Sequence, residues 1–182
     1  MKQIKAYTDG SAAVAGVNKG KGGFGTYFPD LFGNRKAFSL GFKQAKTGEM
    51  EVMALLFAIK AMPLKSEENL ELLVYSDSEY VVKTFVENRI EKWIANDWRN
   101  SSGIVKNLEL WKAVMYHLEK RKYLKLTMTH IRSHQLEKEK DPEKLAILKK
   151  CENIRGNLMA DKLADYKRHE KLFKNTFEIN LK

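Results

Sequence analysis

Four acidic residues have the type and setting expected of groups that do chemistry: Asp9, Glu51, Asp77 and Asp161. Their neighbours are otherwise apolar or structural; two of the acids close a predicted strand and two lie in predicted helices. Carboxylates brought together inside a fold repel one another and need a compensating charge. A hard divalent cation such as Mg²⁺ supplies that charge, and oxygen atoms are its preferred ligands. The four acids therefore predict metal-assisted phosphate chemistry.

The first three acids differ in how well a structural role explains them. Asp9 and Asp77 each follow a strand pattern, where aspartate is also a common turn residue. Glu51 is the only charged residue between positions 50 and 59, in a helix that is apolar almost all the way round. A lone carboxylate there is unfavourable unless it is paired, protonated or bound to a metal ion. Glu51 is therefore the hardest of the three to explain structurally.

The fourth acid, Asp161, has rivals on its own helix, because Asp165 and Asn157 lie one turn away on the same face. A histidine, His134, lies just past the fifth predicted strand, near the beginning of that helix. The residues alone leave three roles open for His134: a general acid, a loop residue or a solvated residue without a role. His130 alternates with the core face of its strand and is predicted to be packed.

Composition favours a globular chain with a polyanionic partner. The 182 residues are 43% hydrophobic, and 33 Lys and Arg against 23 Asp and Glu give a formal charge of +10 and a pI near 9.5. This balance suits nucleic acid first, although simple solubility explains it equally well. The single cysteine, Cys151, excludes an intrachain disulfide, as expected in a reducing cytosol. We find no signal peptide and no apolar run near the roughly 20 residues of a membrane span, so a cytoplasmic location is expected.

Hydrophobic periodicity predicts one α/β domain over residues 1–182, in the order β-β-β-α-β-α-α-β-α. The predicted strands cover residues 3–8, 23–29, 35–42, 70–76 and 123–131. The predicted helices cover residues 48–62, 78–87, about 105–118 and about 153–168, with a further short surface helix at 142–150. The first three strands form an antiparallel meander. The basic run at 120–122 is predicted to be solvated surface.

Several short motifs follow one another along this frame. They are Thr8-Asp9-Gly10-Ser11 with Gly22-Gly23-Phe24-Gly25, Glu49-Met50-Glu51-Val52-Met53-Ala54, Tyr75-Ser76-Asp77-Ser78-Glu79-Tyr80-Val81, Val105-Lys106-Asn107 with Leu110-Trp111, Arg132-Ser133-His134, and Asn157-Leu158-Met159-Ala160-Asp161-Lys162-Leu163-Ala164. Each motif is weak by itself. Together and in this order, over residues 3–168, they make the chain resemble a type 1 ribonuclease H of the bacterial kind.

The resemblance implies a ribonuclease H-like fold, with three antiparallel strands and two parallel ones in a five-stranded mixed sheet flanked by helices. It implies a monomer that hydrolyses the RNA strand of an RNA–DNA hybrid, away from membranes, leaving 5′-phosphate and 3′-hydroxyl ends. Asp9, Glu51, Asp77 and Asp161 match the family's metal-binding acids, which would hold two Mg²⁺ ions about 4 Å apart, with Mn²⁺ as a possible substitute. We expect Asp9 to bridge the ions. His134 matches a loop histidine that helps the product leave.

The same resemblance points to substrate contacts. Gly10 and Ser11 match places where backbone amides read the hybrid, Thr47 could bind a DNA phosphate, and Asn107 is a plausible phosphate contact. The sequence departs from the family pattern at Glu79, where glutamine is common. An ionised carboxylate cannot donate a hydrogen bond to a hydroxyl or a phosphate.

Two segments and a tail subdivide the domain. Residues 88–104 match the basic handle of many relatives, in which Trp93 and Trp98 either lie against sugars or simply pack the handle onto the domain. An inserted segment at 135–152 makes the link between His134 and Asp161 26 residues long, from 135 to 160, which is longer than usual. We interpret the segment at 135–152 as a passive insertion rather than one that alters the mobility of the loop. The residues from about 169 to 182 are predicted to form a C-terminal tail.

Two other functions fit the same fold. One is a hybrid- or duplex-binding module without catalysis, which would have no reason to keep repulsive carboxylates beside phosphates. The other is a different nuclease of the wider superfamily, such as a resolvase or an integrase core. Fold alone does not separate these possibilities.

Overall fold

The computed structural model describes residues 1–165. The strands are β1 (Lys2–Ala12), β2 (Gly22–Leu31), β3 (Asn34–Phe42), β4 (Leu70–Ser76), β5 (Arg99–Asn100), β6 (Gly103–Ile104) and β7 (Leu124–His130). The helices are α1 (Thr47–Lys60), α2 (Glu79–Val86), α3 (Arg89–Ala95), α4 (Leu108–Glu119), α5 (Gln135–Lys138), α6 (Pro142–Lys150) and α7 (Glu152–Ala164). The predicted end of the last helix at 168 and the tail at 169–182 lie outside the described residues.

The main sheet has five strands in the order β3-β2-β1-β4-β7. β1 and β2 pair antiparallel, as do β2 and β3, whereas β1 with β4 and β4 with β7 pair parallel. The predicted fold class, three antiparallel strands plus two parallel ones flanked by helices, is therefore confirmed. β4 alone has parallel neighbours on both sides, and five of its seven residues are buried, as expected of a central parallel strand.

β1 corrects one prediction, because Asp9 does not close its strand. The parallel ladder with β4 ends at the pair Thr8–Ser76, but the antiparallel ladder with β2 continues from Asp9–Gly25 to Ala12–Gly22. Asp9 therefore lies inside β1, just beyond the point where β4 has ended. Its backbone is held on one side only, and its side chain is next to the end of β4.

α1 is the buried helix of the core, with eight of its residues buried. Arg121 caps the C-terminal end of α1: its guanidinium donates to the carbonyl oxygen of Lys60, the last residue of the helix (3.4 Å), and to that of Met62, two residues beyond it (3.0 Å). The prediction that residues 120–122 are solvated is wrong for Arg121, which is 3% exposed. A planar guanidinium with five donors suits this buried capping role, which lysine could not fill in the same way.

The segments around the core contain elements that periodicity alone did not separate. The handle consists of α3 and a two-stranded ribbon of β5 and β6, which was not predicted. The predicted surface helix at 142–150 is confirmed as α6, with the Asp141 side chain accepting from the backbone N–H groups of Glu143 and Lys144. None of the helices described between residues 1 and 165 is long and apolar enough to span a membrane.

Candidate active site

Gly10 allows β1, which carries Asp9, to lie directly against α1, which carries Glu51. A Cβ atom added to Gly10 would lie 2.1 Å from the backbone nitrogen of Glu51 and 2.3 Å from the carbonyl carbon of Met50. No side chain larger than hydrogen fits there, so β1 and α1 are in backbone contact at this point. Asp9 and Glu51 are thereby held beside one another.

A second close approach brings α7, and with it Asp161, to the same place. Gly25 pairs with Asp9 across the β1–β2 ladder, and a Cβ atom on Gly25 would lie 2.2 Å from the carbonyl oxygen of Ala160. The hydroxyl of Ser11 donates to the carbonyl oxygen of Ala164 at 2.8 Å, which ties β1 to the end of α7. The residues around Asp9 therefore fix α7 against the sheet.

Asp77 completes the group from the end of the neighbouring parallel strand. It follows β4 directly and precedes Ser78, the N-cap of α2, whose side chain accepts from the backbone N–H of Val81. Ser78 also lies near the Glu51 carboxylate, where it opposes the rise in the pKa of Glu51. Parallel strands present their carboxyl ends at one edge of a sheet, which is where ligands bind in open α/β sheets.

The four predicted acids interact electrostatically. Asp9 is 8% exposed, and burial together with the charges of Asp77, Asp161 and Glu51 raises its pKa to about 8. Burial, followed by the Asp161 charge, also raises the pKa of Asp77. Burial and the Asp77 charge raise the pKa of Glu51. The cluster is short of positive charge.

This donor set suits a hard divalent cation, because carboxylate oxygens are what such ions prefer and a positive charge would remove the repulsion. Within residues 1–165, however, no three His, Cys, Asp or Glu side chains already stand where they could hold a metal ion together. The acids lie close enough together for their charges to help raise the pKa values of Asp9, Glu51 and Asp77, but their side chains do not converge on one point.

Asn157 belongs to this site, although the sequence offered it only as a rival to Asp161. Its side chain makes a hydrogen bond with the Asp77 carboxylate. The residue is 6% exposed, and its Oδ1 atom is buried without a hydrogen-bond partner. The signal in the sequence was its position four residues before Asp161, which places both side chains on one face of α7.

His134 lies in the same cleft as two of the acids. A cavity is lined by Asp77, His134, Asn157 and Asp161, among other residues. His134 has a left-handed backbone (φ 53°) at the beginning of α5, is exposed, and its Nδ1 lies 3.2 Å from a carboxylate oxygen of Glu137. The structure thus places the predicted histidine beside the acids, at the mouth of the site.

His130 corrects another prediction, since it is exposed rather than packed. Its Nε2 lies 3.3 Å from the backbone carbonyl oxygen of Asp77, just beyond the last pair of the β4–β7 ladder, Ser76–His130. β7 is an edge strand of the sheet, so His130 has a neighbouring strand on one side only.

The predicted substrate contacts fall into two groups. The backbone N–H of Gly10 donates to Asp9 Oδ1 at 2.7 Å, and Ser11 is bonded to α7, so both already support the acids. Thr47 and Asn107 lie together on another surface. α1 begins at Thr47, and a Cβ atom added to the next residue, Gly48, would lie 3.4 Å from Asn107 Nδ2. Thr47 is half-buried, so its surface remains open to a ligand.

The handle tryptophans contribute mainly to packing. Trp93 is 8% exposed and its ring lies 5.9 Å from that of Trp111, which is fully buried. Trp98 is partly buried against the same core, with φ at 58°. These positions favour the packing alternative for Trp93 and leave Trp98 the more accessible of the two.

Taken as a whole, a five-stranded mixed sheet with coupled carboxylates from β1, α1, β4 and α7 defines a nuclease-type fold of the ribonuclease H class. The family model for RNase H matches residues 1–168, so the chain belongs to the ribonuclease H family. Its relatives are ribonucleases H, hydrolases that act on nucleic acids, and this chain is such an enzyme.

Individual relatives agree with this placement. The chain is 36% identical over 130 residues to a ribonuclease H from Acetivibrio thermocellus, covering 69% of this chain and 82% of the relative. The solution structure of the PFV RNase H domain matches with a TM-score of 0.64 at 22% identity, covering 94% of this chain and 96% of that one. LC11-RNase H1, whose crystal structure is a complex with an RNA/DNA hybrid, matches with a TM-score of 0.56 at 20% identity, covering 88% and 93%.

Proposed function

We propose that this enzyme is an endonuclease that hydrolyses the RNA strand of an RNA–DNA hybrid, leaving 5′-phosphate and 3′-hydroxyl ends. The observation that carries the proposal is the carboxylate cluster, with the pKa of Asp9 raised to about 8 by burial and three neighbouring acids. Such a cluster is unfavourable for the isolated protein and becomes favourable once cations and a phosphate are present.

We propose Asp9, Glu51, Asp77 and Asp161 as the ligands of two Mg²⁺ ions, with Mn²⁺ as a possible substitute. When bound, the ions would activate the attacking water and stabilise the leaving 3′ oxygen. The contribution of the chain is to hold the carboxylates in place. Asp9 is fixed by the Gly10 N–H, whereas Asp77 is oriented by the amide of Asn157.

Other residues handle the substrate and the products. His134 lies at the mouth of the cavity that Asp77 and Asp161 line, so it can reach a departing phosphate end and assist its release. Thr47 and Asn107 would bind a phosphate of the DNA strand. Lys46 and Lys106 line a groove together with Asn107, Glu49 and Glu109. Glu49 accepts from the backbone N–H of Lys46 and Glu109 pairs with Lys112, which leaves the two lysine side chains to supply positive charge there.

Discrimination for a hybrid requires 2′-hydroxyls on one strand and deoxyribose on the other. Gly10 and Ser11 would read the RNA strand close to the acids, because both lie on β1 directly after Asp9. In the handle, we propose Trp98 as a sugar contact in preference to Trp93, whose ring is buried. Arg89 is paired with Glu87 at 2.8 Å, so the handle has less free positive charge than its sequence implies.

The test uses one labelled sequence as a hybrid, as double-stranded RNA and as double-stranded DNA, each with Mg²⁺ and with EDTA. Only the RNA strand of the hybrid should be cut, only with Mg²⁺, and the products should be substrates for ligation at the 5′ end and for extension at the 3′ end. Binding of the hybrid without cutting would instead identify a binding module. Equal cutting of duplex DNA would identify another nuclease of the superfamily. We also propose that the protein acts as a monomer in the cytoplasm.

A further inference from the structure

The inserted segment between His134 and Asp161 extends the active-site cleft. A second groove is lined by Asp77 and by four residues of the insertion: Gln135, Lys138, Glu139 and Leu148. The cavity lined by Asp77 and Asp161 shares four residues with this groove: Asp77, Arg132, Ser133 and Gln135. The cavity and the groove are therefore neighbours along one continuous wall.

Two of the anions that line the groove are paired within the protein. Glu79 lies 2.5 Å from Lys83, and the Glu139 carboxylate accepts hydrogen bonds from the backbone N–H groups of Lys140 and Asp141. These two anions are thus satisfied internally.

The cations are in a different situation. Arg132 and Lys138 are both exposed, and neither has an ion-pair partner among residues 1–165. A polyanion that reaches Asp77 and continues outward would meet these two cations next. Glu79 and Glu139 are paired and Asp77 is assigned to the metal ions, so Arg132 and Lys138 give the groove unpaired positive charge that favours an anionic ligand.

We infer that Arg132 and Lys138 bind phosphates of the cleaved strand beside the scissile bond, and that the inserted segment is a wall of the substrate cleft rather than a passive insertion. This inference rests on the proposed function. α5 begins directly after His134, so a phosphate held by Lys138 also orders the helix from which His134 extends. The insertion thereby links substrate binding to the position of the histidine.

The test measures hybrid affinity against salt concentration in Mg²⁺ with the Asp9→Asn variant, whose cleavage is expected to be too slow to interfere. Adding Lys138→Gln or Arg132→Gln should weaken binding about fivefold and reduce the slope of log affinity against log salt by roughly 1 each. Lys149→Gln is the matched control, because Lys149 is an exposed lysine of the same segment that does not line the groove. Lys138→Arg keeps the charge and should restore the slope.

Uncharged methylphosphonate linkages, placed one at a time along the RNA strand, identify the contacted phosphate. At one position the uncharged linkage should weaken hybrid binding by the parent protein. At the same position it should not weaken binding by the Lys138→Gln variant any further. Slopes for Lys138→Gln and Arg132→Gln equal to that of the parent would overturn the inference, as would an equal loss in Lys149→Gln. The proposed function fails separately, if the unmodified enzyme does not cut the hybrid at all.

Discussion

Two carboxylates lie buried in the same sheet, on neighbouring parallel strands, and have opposite surroundings. Glu71 of β4 is 7% exposed and is surrounded by donors: Gln3, Thr127 and Lys125 each place a nitrogen or hydroxyl 2.8 Å from its oxygens. These contacts, led by the hydrogen bond from Lys125, lower its pKa to about 2. The protein itself satisfies this charge.

Asp9 of β1 is 8% exposed and receives one backbone hydrogen bond, from Gly10. It faces Asp77, Asp161 and Glu51, and its pKa is raised to about 8 by burial first and these charges next. The comparison shows that burial alone does not decide how a carboxylate titrates. What matters is whether the chain supplies the compensating donors, and at Asp9 it leaves that task to something that binds.

The largest difference in cleavage rate is expected when each of these two carboxylates is exchanged for its amide. Asp9→Asn should lower the cleavage rate about a thousandfold or more, because the proposed bridging ligand is lost, while folding and hybrid binding stay nearly intact. Glu71→Gln is the matched change at the satisfied carboxylate and should retain activity within about threefold. Single-turnover cleavage of a labelled hybrid, with circular dichroism as the folding check, measures both. Full turnover by Asp9→Asn would remove Asp9 from the metal site.

A smaller but still large difference is expected between Asp161 of α7 and Asp165, the residue that follows the helix. Asp161→Asn should lower the rate about a hundredfold, whereas Asp165→Asn should change it less than about threefold, because Asp161 is the one that raises the pKa of Asp9 and Asp77. The same cleavage assay decides. If Asp165→Asn is the more damaging variant, the assignment of the fourth acid is wrong.

The sequence predicted the acids because apolar surroundings make a carboxylate conspicuous, as for Glu51 in α1. It did not predict where β1 ends, since strand pairing beyond Asp9 depends on β2 alone and not on local residues. It also placed Arg121 in solvent, because a basic run is read as surface unless the carbonyls that it caps are known. Asn157 was visible only as a neighbour of Asp161. Its hydrogen bond to Asp77 joins residues 80 positions apart, which no local pattern encodes.

The pH dependence of stability should have opposite signs at the two buried carboxylates. Without metal, the raised pKa of Asp9 means that the folded protein keeps a proton that the unfolded chain releases, so stability falls as pH rises from about 4 to about 8. Asp9→Asn removes this fall and should stabilise the metal-free protein at pH 8 by a few kcal/mol. Glu71 stabilises above its unfolded pKa, and its contribution is lost as pH falls through about 2.

Urea unfolding in EDTA at a series of pH values measures these effects. Wild type and Asp9→Asn should converge near pH 4, and wild type and Glu71→Gln should converge near pH 2. Adding Mg²⁺ at pH 8 should restore stability to the wild type more than to Asp9→Asn. A wild-type stability that does not change between pH 4 and pH 8 would contradict the electrostatic description of the cluster.

The smallest effect on the cleavage rate is expected at Asn157, a neutral residue of the site. Asn157→Ala removes the hydrogen bond to Asp77 and should lower the cleavage rate about tenfold, as expected for a group that orients a ligand rather than serving as one. The Mg²⁺ concentration needed for half-maximal activity should rise by a similar factor, while hybrid binding by the Asp9→Asn, Asn157→Ala double variant should match that of Asp9→Asn. A merely structural role would lower thermal stability without changing the Mg²⁺ dependence. The two readouts thus separate support of the carboxylate from support of the helix.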